Sequence, residues 1–184
     1  MSLTITALVI GGNTEHLDET LFGLAGQSRK PDRVMVGCIN SDEEEIAKRH
    51  DFPFISIQGS FTEKINSLAS AVENPDWYWV IFANSCPDPS ALEKMALTAE
   101  TSPSASVVSP KLVDWDHPDK FISFGNTITQ LGESFELVDF EIDQGQHDLM
   151  RDVLASDFAG SLIQQTALED LQISSSPMAA RSTV

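Results

Sequence analysis

Residues 77–92 read Trp77-Tyr78-Trp79-Val80-Ile81-Phe82-Ala83-Asn84-Ser85-Cys86-Pro87-Asp88-Pro89-Ser90-Ala91-Leu92, an apolar run that ends in small polar residues and Pro-Asp-Pro. A continuous apolar run is typical of a parallel strand that is buried on both faces. In an open α/β sheet, the loop after such a strand lies at the carboxyl edge, where ligands bind. The stretch therefore predicts a buried strand over 78–82, an edge loop, and then a helix with Asp88 as its cap and Pro89 at its first position.

Strand and helix patterns alternate through the first 110 residues. Apolar and β-branched runs predict strands at 4–10, 34–36, 54–57, 78–82 and 105–108, and apolar residues at helical spacing predict helices between them. After Lys111 the pattern changes, and runs at 121–124 and 134–138 near Gly125 and Gly132 predict a small antiparallel insertion. The predicted fold class is therefore α/β, a three-layer α/β/α arrangement around a mainly parallel sheet with a small antiparallel insertion.

The rest of the chain completes one domain. Residues 139–148 are polar and acidic and predict a surface loop, 153–163 predict a strand that returns to the sheet, and 164–171 open a helix. From Ile173 onward the Ser-Ser-Ser-Pro composition predicts a disordered tail. We expect one α/β domain over 1–172, a length that can bury a substantial core, and a tail over 173–184.

Charge and composition narrow the classes of partner. The net charge is −17, from 11 basic and 28 acidic residues, which argues against nucleic acid and anionic membrane surfaces as partners. No apolar run approaches the roughly 20 residues of a membrane helix, and the first residues do not have the pattern of a signal peptide.

Cys38 and Cys86 are isolated thiols at predicted strand ends. We expect both to be buried, in a protein of a reducing compartment. We expect a cytoplasmic protein.

Two polar segments and the histidines have plain structural interpretations. The acidic run Ser41-Asp42-Glu43-Glu44-Glu45 predicts the solvated first turn of a helix, where negative charge is favourable. The cluster at 114–119, Asp-Trp-Asp-His-Pro-Asp, predicts a turn, with a ligand-facing role as the alternative. The four histidines are dispersed and show no spacing typical of a metal centre.

Several motifs, in order, resemble family 2 glycosyltransferases of the GT-A fold. They are Leu17-Asp18-Glu19-Thr20-Leu21, Gln27, Pro31-Asp32-Arg33-Val34, Asn66, Pro87-Asp88-Pro89, Ala91-Leu92, Ser109-Pro110-Lys111-Leu112 and Asp157-Phe158-Ala159-Gly160-Ser161-Leu162-Ile163. The resemblance spans most of the chain.

The resemblance implies a domain that binds a nucleotide-diphosphate sugar at the carboxyl ends of the first four strands. By this resemblance the nucleotide-sugar-binding positions are Gly11, Gly12, Asn13, Cys38, Asn66 and Asn84. Competent relatives use manganese or magnesium to offset the diphosphate charge, and the acceptors of the bacterial relatives are typically cell-envelope glycans. In such a longer native protein the domain would lie at the cytoplasmic face of the membrane, and only segments outside this chain would contact the membrane.

The chain differs from the family at the positions that bind the base and the metal ion. Cys38 stands where the family has an aspartate that contacts the base, and Phe82-Ala83-Asn84 stand where it has the metal-binding aspartates. A divalent ion prefers hard, charged oxygen ligands, so no metal ligand, cofactor or catalytic residue is identified here. The chain resembles either the front portion of a transferase or a diverged relative. The alternatives are a non-catalytic regulatory or assembly module of a larger envelope-synthesis protein, and a nucleotidyltransferase of related topology.

Overall fold

The structure is a computed structural model that describes residues 3–123, 125–128, 134–136, 141–146 and 158–174. The strands are β1 Ile5–Ile10, β2 Arg33–Cys38, β3 Phe54–Ser56, β4 Trp77–Phe82, β5 Val107–Val108, β6 Leu112–Val113, β7 Phe121–Ser123, β8 Asn126–Ile128, β9 Ser134–Glu136 and β10 Leu162–Gln164. The helices are α1 Thr14–Ala25, α2 Ser41–Arg49, α3 Phe61–Ser70, α4 Ala91–Thr101 and α5 Gln165–Ser174.

A six-stranded sheet in the order β3-β2-β1-β4-β10-β5 forms the centre of the domain. The first four strands pair in parallel, and β10 runs antiparallel between β4 and β5. Ile10 is level with Gly37 of β2 and with Phe82 of β4, so these strands end at the same edge. The predicted mainly parallel sheet is confirmed, and the late returning segment enters it in the opposite direction.

Helices cover both faces of the sheet. On one face α1, α2 and α4 bury Leu21, Ala47 and Leu92 against β1, β2 and β4, and on the other α3 and α5 bury Leu68 and Leu168. Burial of this apolar surface supplies the main driving force for folding. Strand β4 contributes to both core clusters because its side chains alternate between the faces, which is why its sequence is apolar throughout. The three-layer arrangement is confirmed.

The antiparallel insertion is confirmed, and its described residues form two separate pairs. Strand β7 pairs with β6, and β8 pairs with β9. Residues 141–146 belong to the predicted acidic loop, and an isolated bridge joins Ile142 of this loop to Lys120, which precedes β7. The predicted strand segment 153–157, together with 137–140 and 147–152, lies outside the described residues.

Two helix boundaries differ from the prediction. Helix α4 begins at Ala91, so Asp88 is not its cap and Pro89 is not its first residue. The Asp88 carboxylate instead accepts hydrogen bonds from the amide of Ser90 at 2.9 Å and its hydroxyl at 2.6 Å, which fixes a turn before the helix. Helix α5 continues to Ser174 and so includes the first two residues of the predicted tail; residues 175–184 are outside the described part.

Among the helices that the structure describes, none combines the length and hydropathy needed to cross a bilayer.

Candidate functional site at the carboxyl edge

The ends of β1, β2 and β4 bring most of the predicted site residues together. Gly11 follows β1, Cys38 closes β2, and Asn84 follows β4, all at the same edge of the parallel sheet. Two backbone hydrogen bonds hold these ends, from the Gly11 amide to the Gly37 carbonyl at 2.8 Å and from the Ala83 amide to the Ile10 carbonyl at 3.0 Å. The predicted juxtaposition is therefore observed, and the binding role of these residues stays a prediction.

Asn66 lies on α3, which packs against β1 and β2. Its Oδ1 atom is buried and has no hydrogen-bond partner within the described part of the chain. An unsatisfied buried amide is costly, which makes this side chain a structural exception. Its predicted role in ligand binding remains a prediction.

The loop after β1 needs glycine for steric and conformational reasons. A Cβ atom on Gly11 would lie 2.3 Å from the Gly37 carbonyl oxygen and 2.3 Å from Oε2 of Glu43. Gly12 has a φ of 139°, a conformation that other residues rarely adopt. Asn13 then caps α1, since its side chain accepts a hydrogen bond from the His16 amide at 3.3 Å.

Glu43 is the residue at this edge that sequence reasoning missed. The prediction of a solvated acidic turn is wrong for it, because Glu43 has no exposed surface. Its Oε1 accepts a hydrogen bond from the Gly12 amide at 2.9 Å, and its Oε2 accepts one from the Ile39 amide at 2.8 Å. The spacing carried only a partial signal: Asn40 followed three residues later by glutamate is a capping-box pattern, which predicts hydrogen bonds at the start of the helix and not the contact with Gly12.

The two cysteines have different environments. Cys38 is fully buried in the core, and burial, with a further contribution from Glu43 and Glu44, raises the pKa of its thiol to about 11. A ligand at the edge would therefore meet the backbone of residue 38 and not its sulfur. Cys86 is exposed, so the prediction that both thiols are buried is wrong for this one.

The last residue of β4 and the turn after it, residues 82–84, are called the β4 exit below. They combine an aromatic cluster with a turn that is held by hydrogen bonds. Phe82 packs against Phe61 with ring centroids 5.7 Å apart, and Phe61 lies 5.1 Å from Phe158. Ala83 is 2% exposed, and its carbonyl accepts a hydrogen bond from the Thr20 hydroxyl at 3.0 Å. The next residue in the turn, Asn84, is exposed and presents its amide to solvent at the edge.

A cavity of about 400 Å³ adjoins this exit and is lined by Phe61, Phe82, Leu112, Phe158 and Ala159. A larger cavity, of about 560 Å³, lies at the other end of β2, and its lining includes the ion-paired Arg33 and Glu73. Ligands of open α/β sheets bind outside the carboxyl ends of the strands. We therefore assign the candidate site to the cavity at the β4 exit, although it is the smaller one.

The loop after β6 folds back toward the start of α1. The ring of Trp115 lies 5.1 Å from the ring of His16. Asp114 accepts hydrogen bonds from the amides of Asp116 at 3.0 Å and His117 at 2.8 Å, so the predicted turn is observed. One oxygen of the Asp114 carboxylate, Oδ1, is thereby committed to the turn.

The residues at the β4 exit do not fit a divalent metal ion. The side chains of Phe82 and Ala83 carry no oxygen, and the amide of Asn84 offers one neutral ligand. Within the described ranges, no group of three histidine, cysteine, aspartate or glutamate side chains could hold a metal ion.

The model of the family described as "Glycosyltransferase like family 2" matches residues 2–183. The chain belongs to this family. Comparison with curated protein sequences found no match.

Solved structures with similar folds include three proteins of low sequence identity. Glucosyl-3-phosphoglycerate synthase from Mycobacterium tuberculosis, in complex with phosphoglyceric acid, is 14% identical with a TM-score of 0.52, over 62% of this chain and 46% of that one. CMP:2-keto-3-deoxy-manno-octonic acid synthetase complexed with CTP is 10% identical with a TM-score of 0.56, over 91% of this chain and 77% of that one. TarS from S. aureus is 14% identical with a TM-score of 0.49, over 58% of this chain and 21% of that one.

The synthase and the synthetase, both with TM-scores above 0.5, place this member of the family among nucleotide-sugar transferase-like folds. The match spans less than half of the synthase and about a fifth of TarS. At such low identity the likeness concerns the fold alone, because one fold supports many functions.

Proposed function

We propose that this family member binds a nucleotide-diphosphate sugar at the carboxyl edge of β1, β2 and β4 without a divalent ion. The observation that carries the proposal is the β4 exit, where Phe82 lines a cavity together with two other aromatic side chains and the exposed Asn84 follows two residues later in the chain. Aromatic side chains pack against the flat faces of bases and sugars, and an amide can both donate and accept hydrogen bonds. The family membership supports the same ligand class.

We further propose that the described residues do not transfer the sugar efficiently by themselves. Metal-assisted transferases offset the charge of the leaving diphosphate with a cation, which is worth several kcal/mol of transition-state stabilisation. Phe82 and Ala83 provide no ligand for such an ion, and Asn84 provides a neutral one. The domain then acts as a donor-binding part of a protein that modifies cell-envelope glycans, in the cytoplasm or at the cytoplasmic face of the membrane.

A non-catalytic assembly module is the second candidate. It is favoured by the same Phe82-Ala83-Asn84 sequence and by the net charge of −17, which disfavours an anionic ligand. In this case the aromatic cavity at the β4 exit would be part of the packing and would have no nucleotide ligand.

Calorimetry with a panel of uridine and guanosine diphosphate sugars distinguishes the two. We expect binding of at least one of them with an affinity that manganese leaves unchanged. Asn84→Ala should weaken this binding about tenfold, since it removes hydrogen bonds to a polar or charged ligand. Asn74→Ala is the matched control, because Asn74 is an exposed asparagine beside the start of β4, at the opposite edge.

Two outcomes would contradict the proposal. If no sugar nucleotide binds with or without manganese, the assembly module replaces the donor-binding domain. If binding requires manganese, the metal-independent part of the proposal is wrong, and the ligands of the ion must lie outside the β4 exit.

A further inference from the structure

Glu43 is the one fully buried carboxylate among the residues that the structure describes. Both of its oxygens accept hydrogen bonds from backbone amides, of Gly12 at 2.9 Å and of Ile39 at 2.8 Å. The Thr14 hydroxyl lies a further 3.5 Å from Oε1. Within the same described ranges, no lysine, arginine or histidine forms an ion pair with it. Hydrogen bonds from neutral groups therefore compensate its buried charge.

The donors come from the ends of two neighbouring parallel strands. Gly12 follows β1 and Ile39 follows β2, and within two residues of each a helix begins, α1 at Thr14 and α2 at Ser41. The amino ends of helices carry partial positive charge, and converging backbone amides bind anions. The groups around the Glu43 carboxylate therefore have the composition of an oxyanion site.

Helix capping explains only part of this arrangement. A glutamate at the third position of a helix commonly accepts a hydrogen bond from an amide just before that helix, and the Ile39 contact is of this local kind. The Gly12 contact crosses to a different strand, 31 residues away in sequence. Gly11 also has no room for a Cβ atom, because Oε2 of Glu43 would be 2.3 Å from it. The loop after β1 thus accommodates the carboxylate itself.

We propose that Glu43 is an internal anion that fills an oxyanion site at the β1–β2 half of the carboxyl edge and so determines which ligands the edge accepts. An external phosphate or carboxylate cannot use the amides of Gly12 and Ile39 while Glu43 holds them. The anionic part of a ligand must then lie on the β4 side, near Asn84. This last consequence rests on the proposed donor binding, whereas the internal oxyanion site does not.

Removal of the side chain and addition of a small anion test the site directly. We expect Glu43→Ala to lower the midpoint of thermal unfolding, and formate or acetate to raise it again saturably, relative to chloride at equal ionic strength. The wild-type protein should show no such anion-specific effect. Glu45→Ala is the matched control, because Glu45 is an exposed glutamate two residues further along α2.

Two further measurements keep the test decisive. Glu43→Gln retains the volume of the side chain, so it should be destabilised without rescue by formate. If Glu43→Ala does not fold in chloride, its refolding yield in formate is measured instead, and an equal yield in both salts would overturn the proposal. It would also be overturned if Glu43→Ala were as stable as Glu45→Ala, or if formate gave no anion-specific rise in the midpoint.

Calorimetry with inorganic pyrophosphate tests the exclusion. We expect Glu43→Ala to bind pyrophosphate at least about tenfold more tightly than the wild type, because charge-assisted hydrogen bonds to the vacated amides become available. Equal affinity for the two proteins would contradict the exclusion. Rescue by formate without binding of any sugar nucleotide would leave the internal anion intact and refute the donor-binding function, so the two failures are distinguishable.

Discussion

The side-chain oxygen of Gln27 accepts a hydrogen bond from the backbone amide of Leu92 over a distance of 3.1 Å. Leu92 lies in the first turn of α4, whose own cap residue, Ser90, makes no side-chain capping bond. The Gln27 amide group also donates to the carbonyls of Asp88 at 2.8 Å and Pro87 at 3.4 Å. One buried glutamine therefore joins the end of α1 to the turn before α4. Two separate sequence motifs, the glutamine and Pro-Asp-Pro, form a single structural unit.

Gln27→Ala should destabilise the domain through this connection. The change leaves the Leu92 amide and the Asp88 carbonyl without these partners, and each unsatisfied buried group costs about 1–3 kcal/mol. We expect the free energy of unfolding, measured by urea denaturation, to fall by about 2–4 kcal/mol. Gln58→Ala is the control, because Gln58 is exposed and should change stability by less than about 0.5 kcal/mol. A similar small change for Gln27→Ala would refute the role assigned to Gln27.

The layers of the fold could be predicted from the sequence because their signals are local. Continuous apolar runs and helical spacing identified β4 and the helices, and the alternation of the two predicted the parallel sheet. The prediction failed where contacts between distant segments decide the outcome. The sequence predicted Asp88 as the cap of α4, but the side chain of Gln27, 65 residues before Leu92, accepts the hydrogen bond from the Leu92 amide in the first turn of that helix. The sequence predicted a solvated Glu43, but the loop after β1 covers it, and no local pattern predicts its contact with Gly12.

Stability should fall in acid through the carboxylate of Asp76. Hydrogen bonds from the backbone and then the hydroxyl of Thr4 lower the pKa of Asp76 in the folded protein. The unfolded value is about 3.9, so the stabilisation is fully present above about pH 4 and is lost as the pH falls through the lower folded value. We expect Asp76→Asn to be less stable than wild type near neutral pH and to lose less stability on acidification.

Urea denaturation between neutral and acidic pH measures this difference. Thr4→Val is the companion variant, because it removes the hydroxyl and keeps the backbone amide. Its acid dependence should lie between those of the wild type and Asp76→Asn. Parallel stability curves for all three proteins would show that the interaction of Asp76 with Thr4 does not contribute.

The two thiols should react at different rates. Cys86 is exposed, whereas Cys38 is buried and its pKa is raised to about 11. Because the thiolate is the reactive form, we expect one thiol per native chain to react readily with a disulfide reagent at about pH 8, and both to react in denaturant. Although the residue is exposed, neighbouring atoms desolvate the thiol, and this effect, with a further contribution from Glu19, raises the pKa of Cys86. Its reaction rate should therefore increase as the pH rises above about 8. Cys86→Ser should remove the fast phase, and rapid reaction of both thiols in the native protein would contradict the burial of Cys38.

Restoration of two carboxylates at the β4 exit should create dependence on manganese. Ala83 is a poor position for one of them, because its side chain is buried in the core and an aspartate there would be an unpaired buried charge. Phe82 is half-buried and Asn84 is exposed, so Phe82→Asp with Asn84→Asp places an Asp-x-Asp pair on accessible positions. Loss of the Phe82 ring removes its contact with Phe61, and retention of the fold is checked first by thermal unfolding.

We expect the Phe82→Asp/Asn84→Asp protein to bind uridine or guanosine diphosphate only when manganese is present, since two carboxylates supply the hard charged ligands that the ion requires. Calorimetry with and without the ion measures this dependence. Asn84→Asp alone should not bind the nucleotide with manganese, because one carboxylate gives too few ligands. Phe82→Asp/Asn74→Asp carries the same two carboxylates with the second at the opposite edge of the sheet, and it should bind the nucleotide in neither condition, because it lacks the Phe82 ring and its two carboxylates cannot share one ion. If a folded Phe82→Asp/Asn84→Asp protein does not bind the nucleotide in either condition, two carboxylates at the β4 exit are not sufficient for a metal-dependent nucleotide site, and the missing metal ligands are not the only departure of this edge from a metal-dependent transferase.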